Sequence, residues 1–207
     1  MDSTLGCPLV GLASKARNGK DTVAHRLTEQ YGFVRIGFID PVQNGLEAML
    51  GVSLPDDGPA KEAPLEGALA RLNVSPRRLK QTLGSEWGRD LIHPEIWIVL
   101  AEIRARAEAA KGCAGIVISD VRMEDEANWV RSLGGSIWHL RRPGATPVAA
   151  HRTENGIQAR PGDEHILNNG TLDELHRQVD GLHQKLVGLD RSMTAPNRAH
   201  AALFSHG

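Results

Sequence analysis

The residues best suited to chemistry stand in one short run, Ser14-Lys15-Ala16-Arg17-Asn18-Gly19-Lys20-Asp21-Thr22. A phosphate-binding loop has the form Gly, four residues, Gly-Lys, then Ser or Thr. Here Gly19-Lys20 is intact, Ser14 stands where the first glycine is expected, and Asp21 takes the hydroxyl position, with Thr22 next. Such a loop turns successive backbone N–H groups toward one point, and the helix behind it adds its positive end. Lys20 would carry a mobile cation to the outer phosphates of a nucleoside triphosphate. Asp21 would hold Mg²⁺ through water, or Thr22 would contribute a hydroxyl. A Gly-Lys turn opening an ordinary helix is the plain alternative. The apolar run Cys7 to Ala13 before the loop and the helical pattern Val23 to Leu27 after it favour phosphate.

A second acidic position follows from strand geometry. Ile116-Val117-Ile118-Ser119-Asp120 reads as a buried strand ending in a carboxylate. Ligands of open parallel sheets bind beyond the carboxyl ends of the strands, so Asp120 is expected beside the loop, orienting a metal ion or its waters. A strand-terminal Asp that caps the next helix would look the same. Phosphoryl transfer is catalysed mainly by positioning and by cations, and the planar fork of arginine grips phosphate through two bonds. Arg78, Arg89, Arg122, Arg141, Arg142 and Arg152 are the candidates. Arg122 lies two residues past Asp120. Arg141-Arg142 opens the polar, Gly/Pro-rich stretch Pro143 to Glu164, which reads as a lid that shuts out water. Arg131 and Arg177, on helical patterns away from strand ends, read as solvated surface charges.

The elements that must hold these groups alternate short apolar runs with amphipathic segments, which is the α/β pattern. Phe33 to Ile39 and Ser136 to Leu140 are further strand candidates. Met123 to Leu133 reads as a helix closed by Gly134-Gly135, making a right-handed strand–helix–strand unit. Pro41 to Leu50 reads as helical. Ser75-Pro76 is a helix start, and Pro94 to Lys111 is expected to bury Ile96, Val99, Leu100 and Ile103 on one face. Thr171-Leu172-Asp173-Glu174 is a capping box for a last helix ending near Gly188. The stretch from Arg191 on reads as a mobile tail or an arm docking on a neighbouring copy.

A chain of 207 residues can bury a full core in one domain with a lid or insert. Its formal net charge of -1 supplies no global basic field for nucleic acid or anionic membrane. Cys7 and Cys113 make no disulfide framework and fit a reduced cytoplasmic setting. No run approaches transmembrane length. The histidines lack metal-ligand spacing, and His176 and His183 are expected to face solvent.

Set in order, these segments resemble one family. Lys15 to Thr22 is similar to the loop of phage deoxynucleoside monophosphate kinases, where Gly-Lys-Asp-Thr is usual. Phe38-Ile39-Asp40-Pro41-Val42 resembles that family's Phe-Ala-Asp-Pro stretch. Leu79 to Arg89, followed by Ile96-Trp97-Ile98, resembles its Gln-x-x-Gly-Thr…Arg…Trp segment. Ser119 to Ala127 resembles its Asp-Val-Arg…Glu-Ala segment. His151-Arg152-Thr153-Glu154 and Ile166 to Thr171 resemble its lid and last strand. The resemblance covers about Val10 to Leu186. It departs from the family at Ser14 and Ile39, neither of which removes a charged group.

The resemblance implies a three-layer α/β P-loop kinase fold: a mostly parallel central sheet flanked by helices. To this it adds a helical acceptor-binding insert over about 41–111 and a lid over about 143–165, within a domain of 1–190, with 191–207 as the tail. It implies transfer of the γ-phosphate of ATP to a deoxynucleoside monophosphate with Mg²⁺. Ala16, Arg17, Asn18, Gly19, Lys20, Asp21 and Thr22 would serve ATP, with Asp21 and Asp120 at the metal. Asp40, Gln81, Trp87, Arg89 and Arg122 would serve the acceptor. Lys20, Arg122, Arg142 and Arg152 would stabilise the transferring phosphoryl group. Gln81 could read a base edge and Trp87 could stack on the base, whereas Trp97 fits a core role better. Small-molecule nucleotides are the expected partners, a homodimer is held open, no membrane is involved, and the host cytoplasm is the expected location if the gene is phage-borne. Two rivals stand beside this reading. One is a kinase for 5-hydroxymethyluracil in phage DNA, which would need a basic face. The other is a regulatory ATPase, which would need no second phosphate pocket.

Overall fold

The computed structural model of the chain describes residues 4–14, 18–56, 58–143 and 157–194. The N-terminal apolar run forms strand β1, Leu9–Ser14, and Gly19 then opens helix α1, Lys20–Tyr31. A short strand β2, Val34–Ile36, leads into α2, Asp40–Leu50. After two 3₁₀ turns come α3, Pro76–Gln81, and a π-helix, Thr82–Ile92, followed by α4, Ile96–Ala110. Strand β3, Ile116–Val121, helix α5, Glu124–Ser132, and strand β4, Ser136–Arg141, form the expected strand–helix–strand unit. Strand β5, Glu164–Leu167, and helix α6, Leu172–Thr194, complete the described chain.

The strands form one sheet in the order β2-β3-β1-β4-β5, and every pairing is parallel. Parallel strands need crossovers, and the crossover helices cover both faces of the sheet. Side-chain alternation along β1 shows the two faces directly. Leu9 and Ala13 pack with Val42, Leu46, Trp97, Ile98 and Val130, on the side of α2, α4 and α5. Val10 and Leu12 pack with Val23, Leu27, Leu175 and Val179, on the side of α1 and α6. The result is three layers.

Local sequence signals behave as their chemistry requires at the starts of α3 and α6. Ser75 Oγ accepts the Arg78 backbone N–H at 3.2 Å, with Pro76 at the first helical position. The capping box before α6 is reciprocal: Thr171 N–H donates to Glu174 Oε2 at 2.7 Å, and Glu174 N–H donates to Thr171 Oγ1 at 3.3 Å.

Three expectations are corrected. Helix α4 buries Trp97, Ile98, Ala101 and Ala105, while Val99, Leu100 and Ile103 face outward. Its first six residues, Ile96 to Ala101, are all apolar, so periodicity does not select a face. The small alanines decide it, because they let the helix approach the sheet closely. Helix α6 continues past Gly188 to Thr194. His183 is not a solvent-facing side chain: it stacks on Tyr31 with ring centroids 3.7 Å apart. Tyr31 in turn donates to Asp180, whose two oxygens take Arg26 at 3.0 and 2.9 Å, which ties α6 to α1.

A π-helix is seldom more than a single turn and often marks a functional site. Here the wide helix curls around Trp97, whose Nε1 donates to the Gly84 carbonyl at 2.6 Å. Trp97 therefore belongs to the core. A Cβ on Gly88 would press on Cζ2 of Trp97 and stand 2.8 Å from its Cε2. We expect Gly88→Ala to destabilise the chain by about 1–3 kcal/mol through overpacking. Urea unfolding followed by tryptophan emission measures this, and an unchanged midpoint would contradict the packing described.

Candidate active site

The chain leaves central strand β1 at its carboxyl end, where the crossover direction reverses and ligands of such sheets bind. Gly19 caps α1 at φ 95°, ψ 17°, a left-handed conformation suited to glycine. A Cβ there would lie 2.5 Å from Asn168 Nδ2. That amide nitrogen donates to the Asn18 carbonyl at 3.0 Å, and the buried Asn18 side chain donates to the Leu140 carbonyl at 3.0 Å. The foot of the loop is thus pinned between the end of β4 and the segment after β5. Gly19 offers no capping side chain, and among the described residues no other side chain caps the first turn of α1. Its leading N–H groups remain available to an anion. The buried Ser14 Oγ has no hydrogen-bond partner among the described residues.

The charges around this helix end are paired in a chain. Lys20 Nζ is 3.5 Å from Asp21 Oδ2, and Asp21 Oδ1 is 3.8 Å from Arg35 Nη2. Arg35 Nε donates to the buried Ser119 Oγ at 2.9 Å. One guanidinium therefore spans from the α1 terminus to the end of β3, next to Asp120. Asp120 accepts the backbone N–H groups of Phe38 and Ile39 at 2.9 and 3.0 Å. Burial pushes its pKa up, against those two bonds and the nearby Arg122. Asp40 lies on the same turn: its Oδ2 takes the Gly37 N–H at 2.8 Å and Arg104 Nη1 at 2.7 Å.

On the other side of Asp120, Arg89 is held by carboxylates. Its guanidinium donates to Asp125 at 3.0 Å and to Glu126 Oε1 at 2.5 Å, with only 11% of the side chain exposed. Glu126 Oε2 also accepts the N–H groups of Arg122 and Met123 at 2.7 and 3.0 Å. Burial and the neighbouring Asp120 push the Glu126 pKa up to about 7, against the pull of Arg89 and the two N–H groups. The folded chain then holds this proton more tightly than the unfolded chain, whose carboxyl stays near 4.5. The stabilising contribution is complete below pH 4.5 and lost as pH rises to about 7. We expect the loss of stability across that window to be smaller in Glu126→Gln than in the wild type, by urea midpoints at each pH. His183, whose pKa burial lowers, acts oppositely but equally in both proteins.

The sequence-derived candidates divide in three. Asn18, Gly19, Lys20, Asp21, Thr22, Asp40, Asp120 and Arg122 gather at the carboxyl edge of the sheet, with Arg142 exposed just past β4. In α3 and the π-helix, Gln81 is half-buried at the end of α3, Trp87 is 43% exposed and open to a stacking partner, and Arg89 turns toward α5. Ala16, Arg17 and Arg152, with most of the expected lid, lie outside the described residues. Arg78 pairs with Glu86 on the surface.

Arg131 corrects another expectation, since it is not a solvated surface charge. It donates to Asp163 at 2.7 and 3.2 Å and reaches Glu124 at 3.4 Å. His139 Nε2 lies 2.9 Å from the same Asp163. Burial raises the Asp163 pKa, but Arg131, His139 and the Arg160 N–H outweigh it and hold the value at about 2. This knot fixes the chain just before β5. No motif in the sequence marks Arg35, Arg104 or Glu126 for a role. The polar residue between Val34 and Ile36 was the one legible hint for Arg35. The ion pairs of Arg104 and Glu126 span 64 and 37 positions, beyond any local pattern.

The layers, the parallel sheet and the loop at its switch point define a P-loop kinase fold. A solved structure from Chloroflexus aurantiacus, provisionally named a kinase, superposes with a TM-score of 0.52 at 13% identity, covering 88% of this chain and 97% of that one. A model of deoxynucleotide monophosphate kinases matches residues 66–179, and the chain belongs to that family. A protein of Acanthamoeba polyphaga mimivirus, provisionally named a deoxynucleotide monophosphate kinase, is 27% identical over 183 residues, 83% of this chain and 93% of its own length. The deoxynucleoside-5'-monophosphate kinase of Escherichia phage T5 is 37% identical over 136 residues. That match spans 59% of this chain and about half, 53%, of the phage protein. No described helix is long and apolar enough to cross a membrane.

Proposed function

We propose that the chain transfers the γ-phosphoryl group of ATP to a deoxynucleoside monophosphate, giving the diphosphate and ADP. The observation that carries this reading is the uncapped α1 terminus with Gly19 and Lys20, set beside Asp120, in a chain of this kinase family. The α1 N–H groups and Lys20 bind the β- and γ-phosphates. The acceptor's phosphate lies toward Arg122 and Asp40, on the insert side, and Trp87 offers its ring to the base. The acceptor oxygen is already anionic, so no strong general base is required. Arg142 and Arg152 supply positive charge as the phosphoryl group moves, under a lid over about 143–165 that keeps water out.

The oxygen donors Asp21 and Asp120 fit a hard cation such as Mg²⁺. Among the described residues no group of three or more His, Cys, Asp or Glu side chains could hold a metal by itself. Asp120 already accepts two N–H bonds, so water-mediated contact suits it. When bound, the cation neutralises charge on the phosphates. Arg35 keeps Asp21 oriented, and Arg104 does the same for Asp40. Small-molecule nucleotides in a host cytoplasm complete the reading. For self-association, the outward face of α4 at Val99 and Ile103 is where analytical ultracentrifugation of surface variants should begin.

A coupled assay of ATP with each deoxynucleoside monophosphate in turn tests the proposal, with hydroxymethyluracil-containing DNA and no acceptor as the other arms. Turnover with at least one monophosphate is expected. Turnover only with DNA, or equal ATP hydrolysis with no acceptor, would overturn it.

A further inference from the structure

Cys7 and Cys113 are the only cysteines of the chain, and their Sγ atoms lie 3.5 Å apart across 106 sequence positions. The topology brings them together. Cys7 stands two residues before β1 and Cys113 three before β3, and these strands are parallel neighbours in which Leu9 faces Ile116. The Ile116 N–H donates to the Pro8 carbonyl at 2.8 Å, so the two chain segments are already registered where the sulfurs meet. Both thiols are half-buried rather than sealed. A disulfide bond is about 2.0 Å long, so closure by about 1.5 Å is required, the scale of a small side-chain rotation.

We propose that Cys7 and Cys113 form an oxidisable dithiol that a low-molecular-weight disulfide converts into an intramolecular bridge. One cysteine loses its proton to solvent, and its thiolate attacks a sulfur of oxidised glutathione. That step forms a mixed disulfide and breaks the glutathione S–S bond, releasing one glutathione thiolate. The second cysteine, also deprotonated, attacks the sulfur of the first, forms the Cys7–Cys113 bond and expels the second glutathione. The protein gives up two electrons, and the oxidant leaves as two glutathione thiols.

The bridge would close a loop containing β1, the phosphate-binding segment, α1, β2, the helical insert and α4. Long loops lose the most unfolded-state entropy when closed. The bridge lies beyond the amino edge of the sheet, separated from Ser14 by the whole of β1, itself about 17 Å long. It should therefore stabilise the fold and leave the reactive end unchanged.

The test treats the full-length protein with oxidised glutathione, followed by intact mass spectrometry and thermal unfolding. The expected result is a monomer lighter by two hydrogens and free of glutathione. Its peptide map contains a Cys7–Cys113 cross-link, its unfolding midpoint is several degrees higher, and dithiothreitol reverses both. Cys7→Ser and Cys113→Ser should each lose the rise in midpoint and carry one glutathione instead. Wild-type protein that retains glutathione adducts, cross-links between chains, or keeps both thiols free under the same treatment would overturn the proposal.

Discussion

Replacing Lys20 by alanine should lower turnover with every deoxynucleoside monophosphate by about 1,000-fold or more while leaving the fold intact. Lys20 is partly shielded, with 20% of its side chain exposed, and its one close described partner is Asp21 at 3.5 Å. Little folding stability depends on such a pair. On the proposed function, what is lost is a cation delivered to the phosphates from a helix end that already favours anions. Lys20→Arg should not restore activity, because a planar fork does not replace a compact ammonium on a flexible stem. The coupled assay, run beside thermal unfolding, separates the two effects. Near-wild-type turnover in Lys20→Ala with an unchanged unfolding midpoint would remove the loop from the mechanism.

Above pH 7, where Glu126 is ionised beside Arg89, Arg89→Ala should destabilise the chain by about 3–5 kcal/mol, the cost of leaving a buried carboxylate without its partner or of protonating it. Glu126 is 6% exposed and Arg89 11%, so solvent screens the pair poorly. The double variant Arg89→Ala/Glu126→Gln should recover much of that loss, because the uncompensated charge is gone. Urea unfolding of the four proteins forms the cycle. A loss under about 1 kcal/mol in the single variant would mean that water reaches the pair. Acceptor KM in the double variant asks a separate question. If Arg89 also meets the acceptor phosphate, KM rises even where stability is restored.

The fold was legible where local pattern and global position agree. The apolar runs of β1 and β3 are continuous because parallel strands are buried on both faces, and Gly19-Lys20-Asp21-Thr22 announces a helix end. Asp120 was legible for the same reason, as a carboxylate at the end of a buried run. The burial face of α4 was not legible, since Ile96 to Leu100 is apolar in every direction and only packing against the sheet selects Trp97 and Ile98. Nor was the carboxylate cradle of Arg89, or the knot of Arg131, Asp163 and His139. These are ion pairs between residues far apart in sequence, and their charges read alone look like surface. The sulfur pair belongs to the same class: two scattered cysteines become neighbours only once β1 and β3 are aligned.

The wide helix Thr82–Ile92 has a consequence for how this segment can vary. One residue turns the chain by about 100° in an ordinary helix and by somewhat less in this wider one. Removing or adding a single residue between Gly84 and Gly88 would therefore rotate one half of the element against the other. The indole of Trp97 would lose its glycine-lined groove. Trp87 would swing away from the open side, and Arg89 away from the carboxylates of α5. Substitutions on the exposed positions of this element other than Trp87 should be widely tolerated, whereas a change of length by one should not. The count of residues here sets an angular phase between the base-stacking candidate and the arginine that anchors this helix to α5.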